Sequence, residues 1–437
     1  MGIEHKATIE GTPEEVWAWL ARSGAIHRLV PPWQPMRVVS EAASLRDGVA
    51  KLRVAGVPWS AKHQPDSFID GEQFVDQLTS FPLRLVNPWR HTHRISGENG
   101  ATIMSDTVQT PVPAAALRGT FIYRTAQLNG DLAAHRQWSS KPLTIAMTGA
   151  SGVIGTALKA MLSTGGHRVI ALTRGAAHGP DSRQWDPTNP APDLLDGIDA
   201  VVHLAGASIA GRFTDEHKRV VRDSRVGPTR KLAELAASAG VATFVSASAI
   251  GIYGADRGDE NLDENTALGD DFLAEVVRDW ESEAQFAAPA ARVVQVRTGI
   301  VMTPRGGFLR QIRPLFTVGV GGRLGSGEQW ISWIGIDDIL DIYLRALSDE
   351  NMVGPVNAVA PHPVRNSEFT KTLGKVMHRP TMIPVPSFGP KLLLGEEGAE
   401  AIAEASQRVD AAVLTSLRHK FRHPELEAAL RHLLGKS

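Results

Sequence analysis

The chain has 437 residues, with 46 basic and 47 acidic side chains and a formal net charge of −1. That balance gives no support to nucleic acid or an anionic membrane as a partner, and the absence of cysteine excludes disulfides, thiolate nucleophiles and thiolate metal sites. The length points to two or three domains of about 100–200 residues each. No apolar run reaches about 18 residues, so no membrane span is expected. The start, MGIEHK, lacks an apolar signal core and has no Ser or Thr at position 6 for myristoylation. A soluble, cytoplasmic protein with a small-molecule substrate is the plain expectation.

The first 140 residues open with a strand, Glu4 to Ile9. Thr12, Pro13 and Glu15 then form a capping box for a helix carrying Val16, Trp17, Trp19 and Leu20. Short strand-like stretches follow at Met36–Val39, Val49–Val54, Phe68–Asp70, Gln73–Thr79, His91–Ser96 and Ala101–Gln109. An amphipathic helix from about Ala114 to Trp138 ends the segment, with Gly119 as a potential break. His91 and His93 share one strand face, but no carboxylate stands near them in sequence, so no metal site is expected. Helix, curved antiparallel sheet and long terminal helix make this an α+β unit. It resembles the helix-grip fold of the START-like or polyketide-cyclase-like superfamily. That resemblance implies a sheet wrapped around the long helix and a cavity for an apolar ligand. Six of the ten tryptophans lie here (Trp17, Trp19, Trp33, Trp59, Trp89 and Trp138), lining such a cavity or filling a core. The polar stretch Gln137–Lys141 marks the break to the next domain.

From Pro142 the pattern changes. Leu143–Met147 reads as a buried parallel strand. Gly149, Gly152 and Gly155 follow, then a helix ending at Gly165-Gly166, then a second strand, Arg168–Leu172. Strand, glycine turn, helix and strand within about 30 residues are the setting of a dinucleotide site. Backbone without Cβ atoms admits a pyrophosphate, and N–H groups at the helix start receive its charge. Thr173-Arg174 stand where an NAD-selective fold carries an acidic residue, so NADP(H) is the expected cofactor. A third strand ends at His203-Leu204-Ala205-Gly206, where small residues suit a flat ligand. His203 reads as a satisfied core histidine. Lys218, Arg219, Arg222 and Arg225 read as the solvated face of a helix from about Thr214 to Val226. Further strands at Thr243–Ala247 and Arg292–Arg297 alternate with helices, which predicts a parallel doubly wound sheet. Trp330–Ile336 leads into a helix capped by Asp337.

These pieces resemble the extended short-chain dehydrogenase/reductase superfamily, through TGASGVIG, HLAGA and SASAIGIYG. RTGIVMTPRGGFL, GVGGRLGSGEQWISWIGIDDI and FLAEVVRDWE resemble its atypical nucleoside-diphosphate-sugar-epimerase-like, or cell-division-inhibitor-like, branch. The tail with LLLGE and FRHPELEAALRHLL resembles that branch's small C-terminal domain of unknown function. The resemblance implies a helix-grip domain at 1–140, an NAD(P)-binding Rossmann domain at 142–384 and a small helical domain at 385–437. It implies NADP along Gly149, Ser151, Gly152, Ile154 and Gly155, with Thr173 and Arg174 at the adenosine phosphate. Leu204, Ala205 and Gly206 would lie beside the adenine ribose, and residues after about 300 would cap the substrate cleft.

The superfamily's proton-transfer pair, YxxxK on one helix, is missing. Phe272 and Val276 stand in its place, and the chain has only three tyrosines, Tyr123, Tyr253 and Tyr343. Tyr253 alone lies near the active-site strand end. Tyr253 and Ser248 are therefore the candidate catalytic residues, with Glu264 as an alternative acid. Two classes of function remain open. One is an NADP-dependent oxidoreductase or epimerase with an atypical proton donor. The other is a non-catalytic NADPH-binding sensor or ligand carrier.

Overall fold

The computed structural model describes residues 2–436 except 99, 140, 386 and 387, with no side chains described for 388–390, 392 and 393. Ser140, in the expected break, and 386–387, at the start of the expected C-terminal domain, thus lie outside the described residues. The chain divides into two compact units. The first comprises Met1–Pro142, Lys159–His167 and Arg431–Ser437; the second comprises Leu143–Leu158 and Arg168–Leu430. Among the described residues, no helix is long and apolar enough to cross a membrane.

The first unit is built on seven antiparallel strands: β1 (Gly2–Ile9), β2 (Met36–Ser40), β3 (Val49–Val54), β4 (Val57–His63), β5 (Gln73–Leu78), β6 (Arg90–Glu98) and β7 (Ala101–Gln109). Their order is β1-β7-β6-β5-β4-β3-β2. Helix α1 (Pro13–Ala21) starts on the predicted capping box, in which the Thr12 side chain accepts from Glu15 N and the Glu15 side chain accepts from Thr12 N. It buries Val16, Trp19 and Leu20 against Ile9, Phe74 and Leu128. Two short helices, α2 (Ala25–Leu29) and α3 (Leu83–Val86), precede α4 (Ala114–Trp138). The 25-residue α4 runs through Gly119 without a break. A lone helical glycine costs about 1 kcal/mol against alanine, which the packing of Phe121, Leu128 and Leu132 outweighs. Arg28 of α2 and Asp131 of α4 form a buried bidentate pair at 2.8 and 2.7 Å.

Two local expectations fail in this unit. Phe68–Asp70 is no strand: it follows a 3-10 turn at Pro65–Ser67, and Ile69 and Gln73 close a tight loop by exchanging backbone hydrogen bonds of 2.9 and 2.8 Å. Strand β4 was not foreseen. It pairs with β3 through the two-residue turn Ala55-Gly56, both at positive φ (47° and 84°). Both φ values suit a type I′ hairpin turn, but alanine in place of Asn or Asp hides the usual signal.

The second unit contains β8 (Thr144–Thr148), the first half of α5 (Val153–Thr164, whose residues from Lys159 on count with the first unit), β9 (Arg168–Thr173), β10 (Ser182–Gln184), β11 (Ala200–His203), α6 (Asp215–Asp223), α7 (Val226–Ser238), β12 (Thr243–Ala249), β13 (Asp256–Leu262), α8 (Phe272–Ala284) and β14 (Arg292–Thr298). There follow β15 (Ile300–Met302), α9 (Gly307–Thr317), β16 (Trp330–Ile331), β17 (Trp333–Gly335), α10 (Ile336–Ser348), β18 (Gly354–Ala358), β19 (Val364–Arg365), α11 (Asn366–Met377) and β20 (Ser406–Val409). The main sheet has seven strands in the order β10-β9-β8-β11-β12-β14-β18, all parallel. This is the doubly wound order of a Rossmann sheet, whose direction of winding reverses beside β8. The apolar runs are buried on both faces, as parallel strands require: Ile145, Ala146 and Met147 are each 0% exposed. Asp337 is not the cap of α10; Gly335 occupies that position, and Asp337 and Asp338 lie in the first turn. The tail joins this unit through β20, which pairs in parallel with β13.

Candidate functional site

Because β9, β8 and β11 are parallel neighbours, the turns that follow them emerge at one edge of the sheet. That places 149–155, 173–174 and 204–206 together. Gly149 has φ +65°, and a Cβ there would lie 2.8 Å from Leu204 C and O. A Cβ on Gly155 would lie 2.2 Å from Gly149 O. These two glycines therefore let turn, helix and next strand close on one another. Gly152 is less constrained, with 3.2 Å to Gly149 O, and its N–H bonds that carbonyl at 2.9 Å. Ser151 and Gly152 are exposed, α5 begins immediately after them at Val153, and Ile154 in its first turn is half-buried. The first N–H groups of a helix have no intrahelical acceptor, so this is an anion-binding geometry. The loop before α9 lies over the same helix start: a Cβ on Gly306 would be 2.3 Å from Val153 Cγ2.

Thr148 anchors the end of β11. Its Oγ1 accepts from Leu204 N (3.0 Å) and Ala205 N (3.1 Å). His203 is fully buried between Thr148 Oγ1 (2.8 Å) and Thr229 Oγ1 (2.9 Å). Burial, with Arg225 nearby, pushes its pKa down to about 4, so it is a neutral bridge between elements. Arg225 corrects the expectation of a solvated face. It lies past the end of α6, donates to Ala207 O at 2.9 Å and to Val221 O at 3.0 Å, and sits over the Trp280 ring. A Cβ on Gly206 would be 3.0 Å from its guanidinium carbon. At the end of β9, Thr173 Oγ1 donates to Gly175 O at 3.1 Å. Arg174 is exposed and, among the described residues, has no hydrogen bond or ion pair.

The strand end expected to carry catalysis is closed. Ser248 Oγ donates to Glu281 Oε1 at 2.5 Å. Glu281 also holds Arg297 through Nε and Nη2, each at 2.9 Å. Arg297 Nη1 donates to the Tyr253 hydroxyl (3.0 Å), which donates to Asn357 Oδ1 (2.7 Å). Glu264 Oε1 accepts from Asn357 N at 2.9 Å. Burial raises the pKa of Tyr253 and of Glu264, and the Glu281 carboxylate holds Arg297 charged despite burial. Tyr253 is 0% exposed. It joins the segment after β12 to β14 and β18 through buried hydrogen bonds. Ser248 belongs to the same closed network, and Glu264 completes it. Asn357, Arg297 and Glu281 escaped the sequence reading. The one available signal was Arg297, a charged residue near the end of a strand whose valines Val293, Val294 and Val296 mark it as buried.

Comparison with known proteins agrees with this architecture. Residues 145–358 match the NAD dependent epimerase/dehydratase family, and residues 385–433 match a domain of unknown function, DUF1731. An epimerase family protein of Mycobacterium tuberculosis is 41% identical over 290 residues, covering 65% of this chain and 96% of that protein. This chain belongs to the NAD dependent epimerase/dehydratase family. A solved nucleoside-diphosphate sugar epimerase from Corynebacterium glutamicum is similar over 99% of this chain and 90% of its own, at 43% identity and a TM-score of 0.87. The human epimerase family protein SDR39U1, solved with NADPH, covers 67% of this chain and 99% of its own, at 29% identity and a TM-score of 0.60.

Phe272 and Val276, which replace the family's YxxxK pair, lie on α8. Val276 is buried, and the Phe272 ring meets Phe213 edge-on at 6.1 Å. Neither offers a proton. The first unit holds a cavity of about 650 Å³ lined by Leu29, Trp59, Phe74, Trp89 and Phe121 among others. Two of the six tryptophans thus line it, and Trp19 belongs to the core.

Proposed function

We propose that this family member binds NADP(H) along Gly149, Ser151, Gly152, Ile154 and Gly155. Leu204, Ala205 and Gly206 lie beside the adenosine, and the chain acts as an oxidoreductase or epimerase on a small molecule. The observation that carries this reading is the turn from Gly149 to Gly155, whose backbone contacts exclude side chains while Ser151 and Gly152 remain exposed beside the helix start. The NADPH-bound human relative supports it. Cofactor choice rests on Arg174, which offers a planar fork of donors suited to a 2′-phosphate. A charge-assisted hydrogen bond contributes about 1.5–3 kcal/mol, so NADPH should bind at least about tenfold tighter than NADH. Fluorescence titration of both cofactors into wild type and Arg174→Ala tests this. Equal affinities in wild type, or a preference surviving the substitution, would remove Arg174 from the site.

The closed network around Tyr253 and the missing YxxxK favour a second reading, a cofactor-bound sensor or carrier. Under it, the first unit is a START-like helix-grip module whose cavity takes an apolar ligand. The seven-stranded antiparallel sheet, the long α4 and the cavity support that assignment. Incubation with NADPH, carbonyl compounds, lipidic aldehydes and nucleotide sugars separates the readings. Loss of NADPH absorbance or conversion of a sugar epimer favours the enzyme; tight NADPH binding without turnover favours the sensor.

A further inference from the structure

His91 and His93 project from one face of β6, into the cavity of the first unit. The strand register supplies what the sequence lacks around them. Asp76 on β5 is directly opposite His91, and Asp106 on β7 is directly opposite His93. Two carboxylates thus flank two imidazoles. Asp76 Oδ2 lies 3.2 Å from His93 Nε2 and 3.7 Å from His91 Nδ1. Asp106 Oδ1 accepts from His91 Nε2 at 2.8 Å and lies 2.8 Å from His93 Nδ1, in a contact too bent to be a linear hydrogen bond. Each ring therefore turns one nitrogen toward Asp76 and the other toward Asp106.

We propose that Asp76 Oδ2, His91 Nδ1 and His93 Nε2 form a binding site for a first-row divalent metal ion of the zinc class, with Asp106 orienting the His91 imidazole. Three features of the geometry support it. The three donor atoms lie within 4.8 Å of one another. Bonds of about 2.0–2.1 Å in a tetrahedral site put ligand atoms about 3.3–3.4 Å apart, and the contacts of 3.2 and 3.7 Å bracket that spacing. Ligating histidines characteristically give their second nitrogen to a carboxylate, which fixes tautomer and ring orientation, and Asp106 accepts that bond from His91 Nε2. Three protein ligands leave a fourth position open, as in zinc sites that bind an exchangeable water or ligand, and here it opens on the cavity. Arg124 also lines this cavity and opposes a cation. A metal-bound imidazole is neutral, so in the loaded site the protein's charges are −2 from the two aspartates and +1 from Arg124, a net of −1 that favours a cation.

The test uses the full chain stripped with chelator, then titrated calorimetrically with zinc(II) and followed spectroscopically with cobalt(II). One tight zinc per chain is expected, together with the visible absorption of cobalt in a four- or five-coordinate nitrogen–oxygen site. The chain has 15 histidines, so the variants decide where the ion sits. His91→Ala should abolish the tight site, and Asp106→Asn should weaken it about 10- to 100-fold. Thermal melts in chelator establish that the variants fold; should His91→Ala fail to fold, His91→Asn, which keeps a polar side chain of similar size, takes its place. No tight zinc in wild type, an octahedral aquo-type cobalt spectrum, or unchanged affinity in a folded His91→Ala would overturn the proposal. NADPH affinity should be the same with and without zinc, which keeps this site separable from the cofactor reading.

Discussion

A single methyl group at position 155 would meet the Gly149 carbonyl oxygen at 2.2 Å, a backbone atom with no side-chain freedom to step aside. Gly155→Ala should therefore deform the turn and weaken NADPH binding by about 5- to 150-fold, since overpacking of this kind typically costs about 1–3 kcal/mol. Gly152→Ala, whose Cβ has 3.2 Å to its nearest neighbour, should lose less. Fluorescence titration ranks the two, and an inverted order would mean that the turn binds differently. Tyr253 shows the opposite kind of constraint. Its hydroxyl satisfies both Arg297 and Asn357 in a fully buried setting. Tyr253→Phe strands those partners, which should destabilise the unit by about 1–3 kcal/mol and leave NADPH affinity unchanged. Urea denaturation measures the first. If instead stability holds and turnover drops about 100- to 10,000-fold, the hydroxyl is a proton donor after all. The glycines were legible in sequence because their spacing follows local backbone geometry. The burial of Tyr253 was not, because Arg297 and Asn357 are 44 and 104 residues away.

Helix α10 is buried along nearly its whole length, so its first-turn carboxylates leave water with it. Burial, with Asp341 and Asp337 close by, pushes the Asp338 pKa from 3.8 up to about 7. The Arg422 side chain pairs with Asp341, and Arg422 N donates to Asp338 Oδ1, which offsets only part of the rise. Between about pH 4 and 7 the folded chain thus holds a proton that the unfolded chain has released. The stabilising contribution of this group is complete below that window and is lost as pH rises through about 7. Asp338→Asn keeps the acceptor for Arg422 N and removes the titration. Relative to wild type it should gain stability between pH 5 and pH 8, measured by urea denaturation at both values. An equal difference at the two pH values would mean that Asp338 ionises normally. The sequence reading placed this helix correctly but took Asp337 for its cap, because both carboxylates look alike until packing shows which face is buried.

All seven strands of the parallel sheet and the glycine turn lie within residues 142–437. That fragment alone should bind NADPH with an affinity close to that of the full chain. Loss of binding in a folded fragment would show that the first 141 residues contribute to the cofactor site. Local sequence determined the Rossmann order of elements, the capping box at Thr12 and the glycine turn between β8 and α5, since each depends on residues within a few turns of one another. The seven-stranded sheet of the first unit was only partly legible, because β4 is entered through an Ala-Gly turn with no usual marker. The Asp–His–His–Asp cluster and the Arg297–Glu281–Tyr253 network were decided by tertiary structure alone. Strand register sets which side chains face each other across a sheet, and buried charges persist only where distant segments bring a partner of opposite sign. Neither property can be read from residues adjacent in the chain.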